Sequence, residues 1–243
     1  MFVFIIPLKS QARTDSWKRL SLIFERTLKS ICSQTSQDFR VIVVCNQKPD
    51  VNYTNSAVEY VEVEDKPSEF GAKDKWRKIK LGLVEALKYN PLFVMHCDAD
   101  DCISNKLVAF SEKDPNAVGW YFPQGWFWKE GSNLILHKNP DFHTLCGTCR
   151  IIRFELLKDQ LQQEYPLFSH KETLINGSKL NPLPFKGTVY IMGHGENLFA
   201  NEARLQDKKR QKSLLRKLKD MRHYRPLTGN IRQEFGLYNI SDS

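Results

Sequence analysis

Hydrophobic positions recur with two alternating periods over the first hundred residues. Phe2-Val-Phe-Ile-Ile6 is an unbroken apolar run closed by Pro7. That is the pattern of a strand buried on both faces of a parallel sheet. Trp17, Leu20, Phe24, Leu28 and Ile31 then return at spacings of three and four, which predicts an amphipathic helix capped by Asp15 or Ser16. Residues 39–45 read as a second buried strand, and residues 58–63, which alternate, as a third. Trp76, Ile79, Leu83, Ala86 and Leu87 mark a second helix that ends near Asn90-Pro91, and residues 92–95 form a fourth strand. Strand and helix patterns in alternation predict βαβ units with right-handed crossovers, hence an α/β fold built on a mostly parallel sheet flanked by helices.

The pattern changes after Ser104. A short helix is expected around Leu107, Val108 and Phe110, followed by the aromatic stretch Gly119-Trp-Tyr-Phe-Pro-Gln-Gly-Trp-Phe-Trp128. Glu130-Gly131 lies between two apolar runs and predicts a hairpin. Residues 145–152 alternate like a strand, 154–161 read as helix, 165–186 as loops rich in Pro, Gly, Asn and Ser, and 188–192 as a last short strand. From Glu202 to about Met221 the chain is helix-like, with Leu214, Leu218 and Met221 on one face.

The chemistry concentrates where the fourth strand stops. Asp98, Asp100 and Asp101 follow its apolar run directly. Clustered carboxylates at the end of a buried strand are costly unless a cation neutralises them. In open α/β sheets that edge is also where ligands bind. A hard divalent ion, Mn²⁺ or Mg²⁺, suits oxygen ligands and leaves places for substrate phosphates. The alternative is an Asp-rich turn that merely caps the following helix.

Charge adds one point. The net charge is +8, and residues 201–243 hold 11 Lys/Arg against 5 Asp/Glu, so the body is nearly neutral and the C-terminal stretch is basic. A helix packed on the domain is the first reading of that stretch, contact with an anionic membrane surface the second. Nucleic-acid contact ranks last, and nucleic acid is not an expected partner. The six cysteines are scattered, which points to reduced thiols and a cytoplasmic location, at most peripheral at the inner membrane face. Cys146-x-x-Cys149 lacks a second ligand pair at finger-like spacing and does not read as a zinc site. Trp126 and Trp128 share one face of their strand, with Phe127 on the other. They are candidate sugar-stacking residues or, alternatively, core.

Several pieces fall in a recognisable order: Phe4-Ile-Ile-Pro7, Thr27-Leu-Lys-Ser30 with Gln34-Thr35, Asp38-Phe-Arg-Val-Ile-Val-Val44, and His96-Cys-Asp-Ala-Asp-Asp101. Together they resemble the nucleotide-sugar half of family 2-type glycosyltransferases with the GT-A fold. Asp141-Phe-His-Thr-Leu-Cys-Gly-Thr148 and Gly193-His-Gly-Glu-Asn197 resemble the acceptor half. The resemblance covers residues 1–200, divided at 103/104, and leaves 201–243 as a basic helical tail. It implies transfer of a sugar, with inversion, from a nucleoside diphosphate donor such as a UDP-sugar to a saccharide or lipid-linked acceptor. It implies a donor site involving Pro7, Asn46, Asp98 and a basic residue among Lys75, Arg77 and Lys78. It implies a metal bound by Asp100 with Asp98 or Asp101, closed by His194. The acceptor side would hold Trp126, Trp128 and His143. The family's catalytic Asp is replaced here by Asn197, which cannot accept a proton, so the base would be Glu196 or Asp141. Other readings are a nucleotidyltransferase on a related scaffold, although residues 9–16 contain no glycine, and a non-catalytic nucleotide- or carbohydrate-binding relative.

Overall fold

The computed structural model describes residues 1–64, 71–158, 161, 169, 171–195 and 222–240. Four parallel strands build its centre: β1 (Phe2–Pro7), β2 (Phe39–Cys45), β3 (Val58–Glu62) and β4 (Phe93–His96). β2 and β4 flank β1, and β3 lies outside β2. The sheet is extended beyond β4 by β9 (Arg150–Arg153), antiparallel to β4, by β6 (Gly119–Tyr121), antiparallel to β9, and by β12 (Asn181–Pro182), parallel to β6. The result is the mixed, mostly parallel sheet that the sequence predicts.

The pleat of β1 explains why its run is continuous. Phe2, Phe4 and Ile6 pack on one face with Phe24, Leu28 and Ile31 of α1 (Trp17–Cys32), while Val3 and Ile5 pack on the other with Ile79, Leu83 and Ala86 of α2 (Gly71–Ala86). Each fully buried aliphatic or aromatic side chain stabilises the fold by about 1.5–3 kcal/mol. Ser16 caps α1, its Oγ accepting from the Arg19 amide at 3.2 Å. Gly82 lets α2 press on the sheet, since a Cβ there would stand 2.5 Å from Ile5 Cγ2. α2 gives way to a short 3-10 turn and stops at Asn90, which takes a left-handed conformation before Pro91.

A second sheet is ordered β14 (Tyr224–Pro226), β8 (Leu134–Lys138), β7 (Gly125–Lys129), β13 (Thr188–Met192), β5 (Cys102–Ile103). The predicted hairpin is β7–β8. α3 (Leu107–Ser111) is short, and α4 is described over Glu155–Lys158. A two-stranded hairpin of β10 (Leu174–Ile175) and β11 (Ser178–Lys179) lies within the stretch expected to be loops.

One expectation is corrected. Residues 145–149 are not strand: the Cys146 amide bonds back to Phe142 O and the Cys149 amide to Gly147 O, so only the end of that alternating run extends as β9. The last described segment, residues 222–240, packs on the body of the fold. β14 pairs with β8, and α5 (Gly229–Phe235) seals a third core in which Leu227, Phe235 and Leu237 meet Trp126, Trp128, Ile135, Val189 and Ile191. The basic run expected at 202–221 lies outside the described residues.

Candidate donor site at the end of strand β4

β4 ends beside β1, where the Cys97 amide donates to Ile5 O at 2.9 Å. The chain then turns through Asp98–Asp101, with the Asp101 amide 3.3 Å from Asp98 O, and leaves as β5. Residues of α1 and its exit fix that departure. Ser30 Oγ bonds both the amide and the carbonyl of Ile103, at 3.0 and 3.1 Å. Gln34 donates to Ser104 O at 2.9 Å and accepts from the Val108 amide at 3.1 Å. The Thr35 amide donates to Asn105 O at 2.8 Å. The short motifs noted at Ser30 and Gln34-Thr35 therefore bracket the acid turn from below.

From the other side, residues 146–148 clamp it. Thr148 Oγ1 accepts from the Asp98 amide at 2.9 Å, and its carbonyl accepts from Thr188 Oγ1 at 2.6 Å. The Cys146 thiol donates to Asp101 Oδ2 at 3.4 Å. Gly147 lies flat against the acids, for a Cβ there would stand 2.8 Å from Asp98 Oδ2 and 3.3 Å from Lys75 Nζ. The resemblance groups residues 141–148 with the acceptor half, whereas residues 146–148 lie against the acid turn. The one legible signal was a Gly-Thr pair inside an otherwise apolar alternation.

Three basic residues were candidates at the start of α2, and the fold separates them. Lys78 is buried and spent on structure, with Nζ donating to Leu8 O at 2.8 Å and pairing with Asp74 at 2.9 Å. Burial lowers its pKa. Arg77 leans on Asp74 at 3.4 Å. Lys75 alone among the three is paired with the acid turn, its ammonium on Asp98 Oδ1, the two side chains 17% and 21% exposed. Burial lowers the Lys75 pKa, but Asp98 with Asp100 and Asp101 outweighs it and leaves the ammonium raised.

The acids themselves are crowded. Burial first, then Asp98, lifts Asp100 to about 7. Burial, Asp100 and Asp98 hold Asp101 well above the carboxylate range. Three neighbouring carboxylates cannot all ionise cheaply. Asp101 Oδ1 is buried and has no hydrogen-bond partner among the described residues. Excess carboxylate, an orphaned oxygen and an all-oxygen donor set fit a hard cation. Among the described residues no group of three or more His, Cys, Asp or Glu gathers into a ready cage. Mg²⁺-type sites commonly use only one or two carboxylates and complete the shell with substrate phosphates and water. The residues present fit that kind of site.

His194 reaches the turn from the end of β13, between Gly193 and Gly195, both at positive φ. Its side chain is fully buried, with Nε2 3.4 Å from Asp100 Oδ2 and 3.2 Å from Ile191 O. In the tautomer protonated at Nε2 the ring donates to the Ile191 carbonyl and faces Asp100, which places His194 at the acid turn as the sequence predicts.

The remaining predicted residues divide. Pro7 ends β1, paired in register with Val44. Asn46, just past β2, donates to Val63 O at 3.3 Å. Asp141 is exposed and precedes a 3-10 turn over residues 142–144. His143 in that turn stands edge-on to Tyr121 at 4.9 Å, and burial lowers its pKa. Trp126 and Trp128, 9% and 0% exposed, belong to the third core, and the Trp128 indole donates to Ser132 O at 2.9 Å. Their shared face is the inner one, so neither offers an open platform to an acceptor. Glu196 and Asn197 lie outside the described residues.

No protein-family model matches the chain, and no curated protein matches it in sequence. Solved structures do. The 1–349 portion of TarS from S. aureus superposes with a TM-score of 0.51 at 17% identity, over 78% of this chain and 60% of that one. The chain has a GT-A-type fold. A longer TarS structure gives 0.48 at 16% identity, over 79% of this chain and 36% of that one. The 2-C-methyl-D-erythritol 4-phosphate cytidylyltransferase (IspD) of Francisella tularensis gives 0.44 at 11% identity, over 85% of this chain and 97% of that one. This chain thus spans between about a third and three fifths of the TarS chains it matches. No helix among the described residues is long and apolar enough to cross a membrane.

Proposed function

We propose that this protein is a nucleotide-sugar-dependent glycosyltransferase that holds its donor diphosphate at the acid turn, together with Mn²⁺ or Mg²⁺. The observation that carries this reading is the surplus of carboxylate at the carboxyl end of β4, with Lys75 on Asp98 and an unsatisfied oxygen on Asp101. The likeness in fold to TarS supports it. A cation bound by Asp100 with Asp98 or Asp101 would neutralise charge on the leaving diphosphate. Lys75 orients Asp98 and brings a positive charge to the same point. His194 faces Asp100 from the end of β13. The Thr148 and Gly147 clamp holds the turn rigid, as a positioned site requires.

The deprotonating carboxylate comes from the second half of the chain, Glu196 or Asp141. The acceptor is a saccharide or a lipid-linked hydroxyl. In the latter case the basic stretch 202–221 contacts an anionic membrane surface from the cytoplasmic side.

Calorimetry with UDP and Mn²⁺, followed by product analysis with UDP-sugars, tests the reading. Binding that needs Mn²⁺ and disappears in Asp100→Ala, with release of UDP, is expected. Release of pyrophosphate from a nucleoside triphosphate and a sugar phosphate would instead identify a nucleotidyltransferase. Binding without turnover would identify a non-catalytic relative. Glu196→Gln is expected to stop transfer and leave donor binding intact.

A further inference from the structure

A buried polar relay joins the C-terminal segment to the acid turn. Arg26, in the middle of α1, is fully buried and lies 5.6 Å from the Trp128 ring. Its Nη1 pairs with Glu130 Oε1 at 2.9 Å and donates to Tyr238 O at 3.1 Å. The same Glu130 oxygen accepts from the Ile240 amide at 3.2 Å. The other, Oε2, faces Arg19 Nη2 at 3.6 Å, and Arg19 Nε donates to His194 O at 3.4 Å. The Glu130 amide also bonds Met192 O at 3.0 Å, two residues before His194. Glu130 therefore touches, directly or through Arg19, both the segment that ends the described chain and the backbone that presents His194 to Asp100.

We propose that Glu130 and Arg19 are positioning residues through which the C-terminal segment, residues 236–240, holds His194 against the acid turn. The segment is then a built-in clamp on the donor site and not merely a lid on the third core. This rests on the reading of the acid turn as the donor site. By linkage, whatever loosens the segment weakens the donor, and the donor tightens the segment by the same factor. Burial makes the inner half of the device specific: the Arg26–Glu130 pair is enclosed, 0% and 11% exposed, and cannot exchange partners with water at low cost, while Arg19, partly exposed, pairs with the second Glu130 oxygen from the rim.

Hydrogen exchange read on peptides 190–195 and 236–240, together with calorimetry of UDP and Mn²⁺, tests the proposal on the full chain. Glu130→Gln is expected to speed exchange in both peptides. Arg19→Gln, a partly exposed change that spares the Arg26–Glu130 pair, is expected to speed it in 190–195 alone. Each should weaken UDP–Mn²⁺ binding roughly tenfold, and the double variant should bind no worse than Glu130→Gln, because both cut one relay. Additive losses overturn the proposal, as does exchange in 190–195 that stays at the wild-type rate in Arg19→Gln. Should Glu130→Gln fail to fold, the Arg19→Gln result decides alone. If the wild-type protein binds no nucleotide, the donor reading fails, while the two exchange patterns still decide whether the relay exists.

Discussion

The ammonium of Lys75, on α2, rests on the carboxylate of Asp98 at the end of β4. An internal cation thus stands at a turn of three acids, and the balance of charge there sets how the turn responds to pH and to metal.

Replacing Lys75 by Met keeps length and apolar packing but removes the charge. Stability without metal is expected to fall by about 1–3 kcal/mol, since Asp98 keeps its burial and loses its partner. Added Mn²⁺ should restore part of the loss. Urea melts with and without Mn²⁺ measure this, and a variant as stable as the parent in metal-free buffer would show that the pair is neutral.

Asp100 predicts a pH dependence of definite sign. Its folded pKa, raised to about 7, lies above its ordinary value of 3.8. The neutral form is favoured in the fold, so this group's contribution to stability is full below pH 3.8 and is lost as pH rises through 7. Between pH 5 and pH 8 the metal-free Asp100→Asn variant should lose less stability than the parent, read as the shift in thermal midpoint. Mn²⁺ must displace the same proton, so its affinity should weaken by up to about tenfold per pH unit below 7 and level off above it.

Gly147 is where the clamp meets the ion pair. Gly147→Ala inserts a Cβ 2.8 Å from Asp98 Oδ2 and is expected to part Asp98 from Lys75. Overpacking of this kind costs about 1–3 kcal/mol. The nucleotide dissociation constant should rise at least about tenfold in calorimetry, a local cost near 1.4 kcal/mol. An unchanged constant would remove the clamp from the site.

Trp128 offers a contrasting case. Trp128→Phe gives up the donation to Ser132 O and part of the contact with Arg26. It should lower stability by about 1–3 kcal/mol in urea, while saccharide binding followed by NMR stays as in the parent.

The linear pattern alone determined the elements of the first half. Runs such as Phe2–Ile6 and the three-and-four spacing of α1 need no distant partner to be read, because pleat and helical pitch are local properties of the chain. The acid turn was legible for the same reason: an apolar run that halts at carboxylates marks a strand end wherever it packs. Residues 145–149 alternate like a strand, yet their backbone bonds are spent in turns beside Asp98 and Asp101. Choosing Lys75 over Arg77 and Lys78, which stand within three residues of it, took the tertiary structure. One helical turn decides whether a lysine meets Asp74 and Leu8 O or Asp98, and composition says nothing of that direction. The approach of His194 to Asp100, the burial of Trp128 and the return of residues 223–227 onto β8 were likewise decided by the fold. Each depends on contacts between residues far apart in the chain, and those exist only once both sheets have formed.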